Sequence, residues 1–189
     1  MLSTKIKEQT TASHRLLESH LLFRNLSGQF DKESYALLLH KLYVYYKILE
    51  ERYVTFFTDI PELDIEKRTR AHLLLQDIFI LTSLPATHAT EQLDVPVIDT
   101  LFKAAGALYV IEGSTLGSKF IYQSLVASGI NKEKGAAYFA GYGEETGLFW
   151  RNFISFLNAV ASTEQEEQEV IEGAKTVFTT LYQWLNKVE

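Results

Sequence analysis

Cysteine is absent from the 189 residues. That excludes disulfides, cysteine-ligated iron–sulfur clusters, and thiolate or covalent thioether attachment of a haem. Proline is scarce: Pro61, Pro85 and Pro96 are the whole set, all outside the long periodic segments, which favours helices. A basic excess is missing too. With a net charge of −6 the surface lacks the positive field that general nucleic-acid binding needs to displace counterions. No apolar run is long enough to span a bilayer; the most apolar stretch, Ala104 to Ile111, is bounded by Lys103 and Glu112. The first eight residues are charged and hold no apolar signal core. Nor does strand-like alternation persist anywhere. These absences leave a soluble, cytoplasmic, all-α protein, with residues 1–189 forming one domain.

What is present is helical periodicity nearly throughout, in a composition that is 47% hydrophobic and 22% charged. Six segments are predicted. The first runs from about Ser3 to Leu22. The second starts at an Asp31 cap and carries Tyr35, Leu38, Leu39, Leu42, Tyr46, Leu49 and Tyr53. The third spans about Asp64 to Ser83. The fourth begins near Asp94-Val-Pro96, read as a cap followed by a first-turn proline, and reaches Ala127. The fifth covers Glu144 to Ala161 and the sixth Glu164 to Val188. Gly28, Pro61, Pro85 and the Gly129–Gly143 region are the breaks.

Two segments carry chemistry. At 100° per residue, Ile6, Thr10, Leu17 and Leu21 form one stripe of the first segment, with His14 on its flank facing inward. Glu18 stands one turn on, where a carboxylate can accept from the ring's second N–H and make the imidazole a better metal ligand. Lys7 shares that sector about 10 Å toward the N-terminus, a reach suited to an anionic group on a ligand at His14. The same spacing also fits a core histidine beside a surface ion pair. In the fourth segment Gly106, Gly113 and Gly117 share a narrow arc, flanked by Phe102, Tyr109 and Phe120. Each glycine costs about 1 kcal/mol relative to alanine. Such a face admits something flat against the backbone, or a close neighbouring helix.

Several look-alikes fail. Gly113-Ser-Thr-Leu-Gly117-Ser-Lys119 has the wrong spacing for a phosphate-binding loop, and charged Glu112 and Lys119 argue against a membrane dimer motif. His20, His40, His72 and His88 form no metal-ligand spacing, and no Glu-x-x-His pair exists for a di-iron carboxylate site. The acidic run Glu164 to Glu172 reads as a solvated helix start. Tyr43, Tyr45, Tyr46 and Trp184 read as packing.

The stretch from Lys7 through His14 to Glu18 resembles the proximal helix of the haem oxygenases. Phe23-Arg-Asn-Leu, Leu42-Tyr43 through Glu50-Glu51, and Arg70 through Gln76-Asp77 are similar to that family's next helices. Leu108-Tyr-Val-Ile-Glu-Gly113-Ser-Thr-Leu-Gly117 resembles its kinked distal helix, in the form of bacterial members found alongside bacteriophytochromes. Val170 to Phe178 is similar to its last helix. The resemblance implies a helical fold with haem between a proximal and a distal helix. It makes His14 the axial iron ligand and Glu18 its hydrogen-bond partner. Gly113 and Gly117, with Ser114 between them, become the distal wall, Phe178 a haem-edge contact, and Lys7 and Arg151 propionate partners. Tyr109 is adjacent to a position, occupied here by Leu108, where animal enzymes have a propionate-binding tyrosine.

Other departures stand out. Ser114 occupies the place of the animal enzymes' distal aspartate, Gly147 that of a second propionate lysine, and Leu181 that of an asparagine. The implied function is an oxidoreductase that binds haem as substrate and cofactor. It would cleave the ring to biliverdin, CO and ferrous iron with O2, ordered water supplying protons. Electrons would come from a ferredoxin or reductase, since no flavin, nicotinamide or iron–sulfur motif is present. The alternatives are a haem carrier or sensor without turnover, and a thiaminase-type enzyme on a similar fold, which needs a cysteine nucleophile.

Overall fold

The computed structural model describes residues 1–27, 30–84 and 93–187. Among them are eight α-helices and no strand: α1 (Leu2–Glu18), α2 (Leu21–Arg24), α3 (Lys32–Tyr53), α4 (Ile65–Arg68), α5 (Ala71–Thr82), α6 (Leu101–Ala127), α7 (Thr146–Val160) and α8 (Glu164–Asn186). The expected breaks at Gly28 and Pro85, His88 and the Val188 end of the sixth segment lie outside the described residues. Among those described, no helix is long and apolar enough to cross a membrane.

Long helix α6 is central, packed against α8, α7 and α3, while α1 lies across α8 and α7. Two glycines set the α6–α8 spacing. A Cβ on Gly106 would come within 2.0 Å of the Val170 carbonyl oxygen, and one on Gly173 within 2.5 Å of the Lys103 carbonyl oxygen. Backbone therefore meets backbone there, a separation that any side chain would prevent. At the far end of α8, the Trp184 indole donates to the Lys41 carbonyl at 2.8 Å, and Lys41 donates to the Lys187 carbonyl at 2.8 Å. Tyr45 and Thr180 hydroxyls bond at 2.7 Å in the same seam. Tyr45 and Trp184 are packing residues, as expected.

Three segment boundaries differ from the sequence reading, each for a physical reason. The first segment stops at Glu18: His20 is extended, and its Nδ1 accepts the Leu22 N–H at 3.2 Å, capping the separate α2. The third is broken at Thr69–Arg70, because the Glu50 carboxylate on α3 accepts the N–H groups of Arg70 and Ala71 at 2.7 and 3.0 Å and starts α5. The fourth begins at Leu101, where the Thr100 hydroxyl accepts the Lys103 N–H at 3.2 Å. Asp94-Val-Pro96 is not a helix start; Arg52 donates to the carbonyls of Val95 and Pro96 and holds that stretch irregular. Asp31 caps α3 through the Ser34 N–H at 2.9 Å, as its position implies.

Candidate functional site

The same α1 stripe that anchors the helix explains where His14 ends up. Leu2, Ile6 and Thr10 are buried, fixing the N-terminal turns against the body of the protein. Beyond them α1 forms one wall of a cavity of about 260 Å3, contributing His14, Leu17 and Glu18. His14 is thus not an inward-facing core residue: its side chain is 49% exposed, at the mouth of that cavity. Its Nδ1 lies 3.3 Å from a Glu18 carboxylate oxygen, and its ring meets Phe178 of α8 edge-on at 5.8 Å. The two contacts fix the imidazole's rotation and leave Nε2 uncommitted by Glu18.

The opposite wall is α6. Gly113, Ser114 and Gly117 line it, with the half-buried Ile121 and the exposed Phe120 farther along. A Cβ on Gly117 would meet nothing within 4 Å, and one on Gly113 only the Trp150 ring at 3.9 Å. These two glycines keep space open, whereas Gly106 on the same helix closes a backbone contact. The glycine arc therefore combines both arrangements that the sequence allowed. The helix continues unbroken through this region, with the Ser114 and Ser118 hydroxyls donating back to the Ile111 and Ser114 carbonyls at 2.7 and 2.9 Å.

Behind that wall lies a buried polar layer. Glu112, fully buried, pairs with Arg68 and accepts the Tyr142 hydroxyl at 2.6 Å. Burial pushes its carboxyl up, while Arg68 and the Tyr142 bond pull it back down. Arg68 also donates to the Phe149 carbonyl at 3.2 Å. Arg70 donates to the Tyr138 carbonyl, and its guanidinium lies 4.7 Å from the centre of the Tyr138 ring. Asp77 accepts the Ala137 and Tyr138 N–H groups at 2.8 Å each. Burial raises the Asp77 carboxyl to about 6 and that of Glu50 to about 7. Together these groups pin the 137–139 backbone, so that Tyr138 and Phe139 complete the cavity beside Tyr46 of α3.

The family model described as Heme oxygenase matches residues 1–187. The chain belongs to the heme oxygenase family. Heme oxygenase PigA of Pseudomonas aeruginosa is 30% identical over 79 residues, 42% of this chain and 40% of that protein. The aligned part is therefore well under half of the curated relative's length. The NO- and CO-bound heme oxygenase from Neisseria meningitidis superposes with a TM-score of 0.78 at 27% identity, over 99% of this chain and 93% of that one. Heme oxygenase from Leptospira interrogans gives 0.80 at 19% identity, covering 99% of both chains. Heme oxygenase-1 of the cyanobacterium Synechocystis, in complex with heme, gives 0.76 at 18%, over 100% and 92%. The last two establish the fold, which is that of the heme oxygenases.

In this family member the cavity gathers six of the sequence-predicted site residues: His14, Glu18, Gly113, Ser114, Gly117 and Phe178. Three others stand outside its lining. Lys7 is exposed two turns before His14 on the same helix face. Tyr109 packs its ring 5.9 Å from Trp150, the residue behind Gly113. Arg151 is exposed on α7 beside Gly147. Sequence reasoning missed Tyr138 and Tyr46 as cavity residues. It assigned no role to Arg68, Arg70, Asp77 or Glu112. The available signal was charge in apolar surroundings: Glu112 interrupts the most apolar stretch of the chain. Among the described residues no three His, Asp or Glu side chains converge as a metal site.

Proposed function

We propose that this cavity takes a haem between α1 and α6, with His14 as the iron's protein ligand, and that the protein opens the ring to biliverdin, CO and ferrous iron. One observation carries the reading: a glutamate-paired histidine faces a helix wall whose Gly117 has no atom within 4 Å of its absent Cβ. The residues fit the group. Iron already held by a porphyrin needs one side-chain ligand, which matches a site offering one histidine rather than a cluster. A flat ring fits a wall without side chains.

When bound, the haem supplies the iron at which O2 is activated and is itself the molecule consumed. The chain's own residues do the rest. Glu18 accepts the Nδ1–H, selecting the tautomer whose Nε2 lone pair is free for iron and raising its basicity. Phe178 limits the swing of the His14 ring. Gly113 and Gly117 let backbone lie against the ring face, and Ser114 offers an oxygen to an ordered water. Lys7 and Arg151 are assigned to the propionates, where their charges would pair. Tyr109 supports the wall through Trp150. Electrons come from a separate cytoplasmic ferredoxin or reductase.

A carrier or sensor that binds haem without turnover is the second reading. It is favoured by the distal wall, where a serine whose proton is spent on the Ile111 carbonyl stands in the place of a carboxylate. Protein mixed with haemin, O2 and a reductant separates the two. Conversion to green biliverdin with release of ferrous iron is expected; haem that stays intact over many minutes would leave the carrier.

A further inference from the structure

One stretch of the cavity lining belongs to no helix. The loop 135–142 carries Tyr138 and Phe139, both buried and both facing the cavity. Gly135 and Gly141, at φ of 103° and 64°, turn the backbone near its two ends. A segment without a ladder of its own stands wherever its backbone groups find partners. Here the central partner is Asp77, fully buried on α5. One of its oxygens accepts the Ala137 N–H and the other the Tyr138 N–H, each at 2.8 Å. Arg70 at the start of α5 donates to the Tyr138 carbonyl, and the Tyr35 hydroxyl of α3 donates to the Gly135 carbonyl at 2.8 Å.

We propose that Asp77 is a positioning residue of the haem site: as a carboxylate it sets where Tyr138 and Phe139 stand in the cavity, and as a carboxylic acid it loosens them. This rests on the haem-binding reading for the ligand, while the grip on the loop is a property of the chain itself. Both N–H bonds need an acceptor, and an ionised carboxylate offers one on each oxygen. A protonated carboxyl keeps one full acceptor and turns the other oxygen into a donor facing an N–H. A buried N–H without an acceptor is costly enough that the loop shifts instead.

The exchange falls in a mild pH range. Burial raises the Asp77 carboxyl to about 6, while the two N–H bonds and then Arg70 pull it back down. Other titratable or charged groups surround it. From α3 come Tyr35, whose phenol burial pushes up, and Glu50 at the start of α5. The loop adds Tyr138, and α5 itself the exposed His72. The turn Lys132–Lys134, packed against α5, adds Lys132 and Glu133, paired at 3.8 Å, and Lys134. Because the folded-state value is raised, proton uptake by Asp77 does not lower global stability as pH falls. The loop loosens while the fold holds, which separates positioning from scaffolding.

Two measurements on the whole chain test this. In protein without haem, the Ala137 and Tyr138 amide signals, followed by proton–nitrogen NMR, should titrate together with a midpoint of about 6. In Asp77→Asn they should not titrate. Amides that stay still in the wild type, or that titrate alike in the variant, overturn the proposal whatever the protein does with haem. The second probe is zinc protoporphyrin, which takes one axial ligand, does no redox chemistry and is read by its fluorescence. Asp77→Asn should bind it about tenfold more weakly than wild type at about pH 7.5. The gap should close to under about twofold at about pH 5, where the wild-type carboxyl is protonated. Every other titrating group is common to both proteins. Equal binding at about pH 7.5, or a gap that persists at about pH 5, would overturn the positioning role. Wild-type protein that ignores the porphyrin sinks the haem reading, while the amide titration still decides the grip on the loop. If Asp77→Asn folds poorly, Arg70→Gln keeps Asp77 and removes the cation that favours its ionised form. The amide midpoint should then rise, and a midpoint that stays or falls would remove Asp77 as the titrating group.

Discussion

Along one face helix α6 meets protein at one stretch and open space at another, and one residue type serves both. At Gly106 the missing side chain lets α8 come to backbone contact; at Gly117 it leaves a void facing His14. The difference lies in what sits beyond the Cα, which no periodicity encodes. On the buried side an added atom must displace main chain. On the open side it displaces nothing in the ligand-free protein and fills the space a ligand would need. Stability and function are thus separated on one helix, about three turns apart.

The largest stability loss expected on the buried side is at Arg68. Arg68→Ala strands the Glu112 carboxylate among apolar groups and should cost about 3–5 kcal/mol by chemical denaturation. A loss under about 1 kcal/mol would mean that Glu112 sits neutral and that the ion pair holds little. Gly106→Ala comes next. Its Cβ would collide with the Val170 carbonyl, and a cost of about 1–3 kcal/mol is expected. Gly117→Ala should do the reverse, adding up to about 1 kcal/mol through helix propensity, while weakening haem binding. Equal effects at the two glycines would break the comparison.

The smallest effect is a pH dependence from the layer behind the wall. Burial holds the Glu50 carboxyl at about 7, above its ordinary 4.5. The folded state therefore binds the extra proton between those values. Its contribution is full below about 4.5 and is lost as pH rises through about 7. Asp77, raised from 3.8 to about 6, acts in the same direction over its own window. Glu50→Gln should flatten the fall in stability from pH 4.5 to 7, as read from denaturation midpoints. A fall as steep as in the wild type would remove Glu50 as its source.

Where local chemistry decided the outcome, the sequence was readable. Asp31 caps α3, α8 starts at Glu164 with Thr163 before it, and of the expected stripe Ile6 and Thr10 are buried, whereas Leu17 is half-buried and Leu21 is exposed beyond the end of α1. The failures come from distant partners. Glu50 starts α5 from 20 residues away, and Arg52 reaches 44 residues to Pro96 to hold a proline that looked like a helix start. His14 and Glu18 were legible as a pair because i,i+4 spacing is local. The exposure of His14 was not, since α1 leaves the core partway along its length. Tyr138 was hidden because a loop has no period; only Asp77 and Arg70, about 60 residues earlier, give its position meaning.

Resonance Raman of the ferrous haem-loaded protein tests the central claim most directly, since it reads the bond between iron and its protein ligand. Wild-type protein should show an iron–histidine stretch, Glu18→Ala should lower its frequency as the imidazole loses its anionic partner, and His14→Ala should abolish it. A stretch that persists unchanged in His14→Ala would show that another residue holds the iron, and the wall formed by α1 would not be the proximal side of the site.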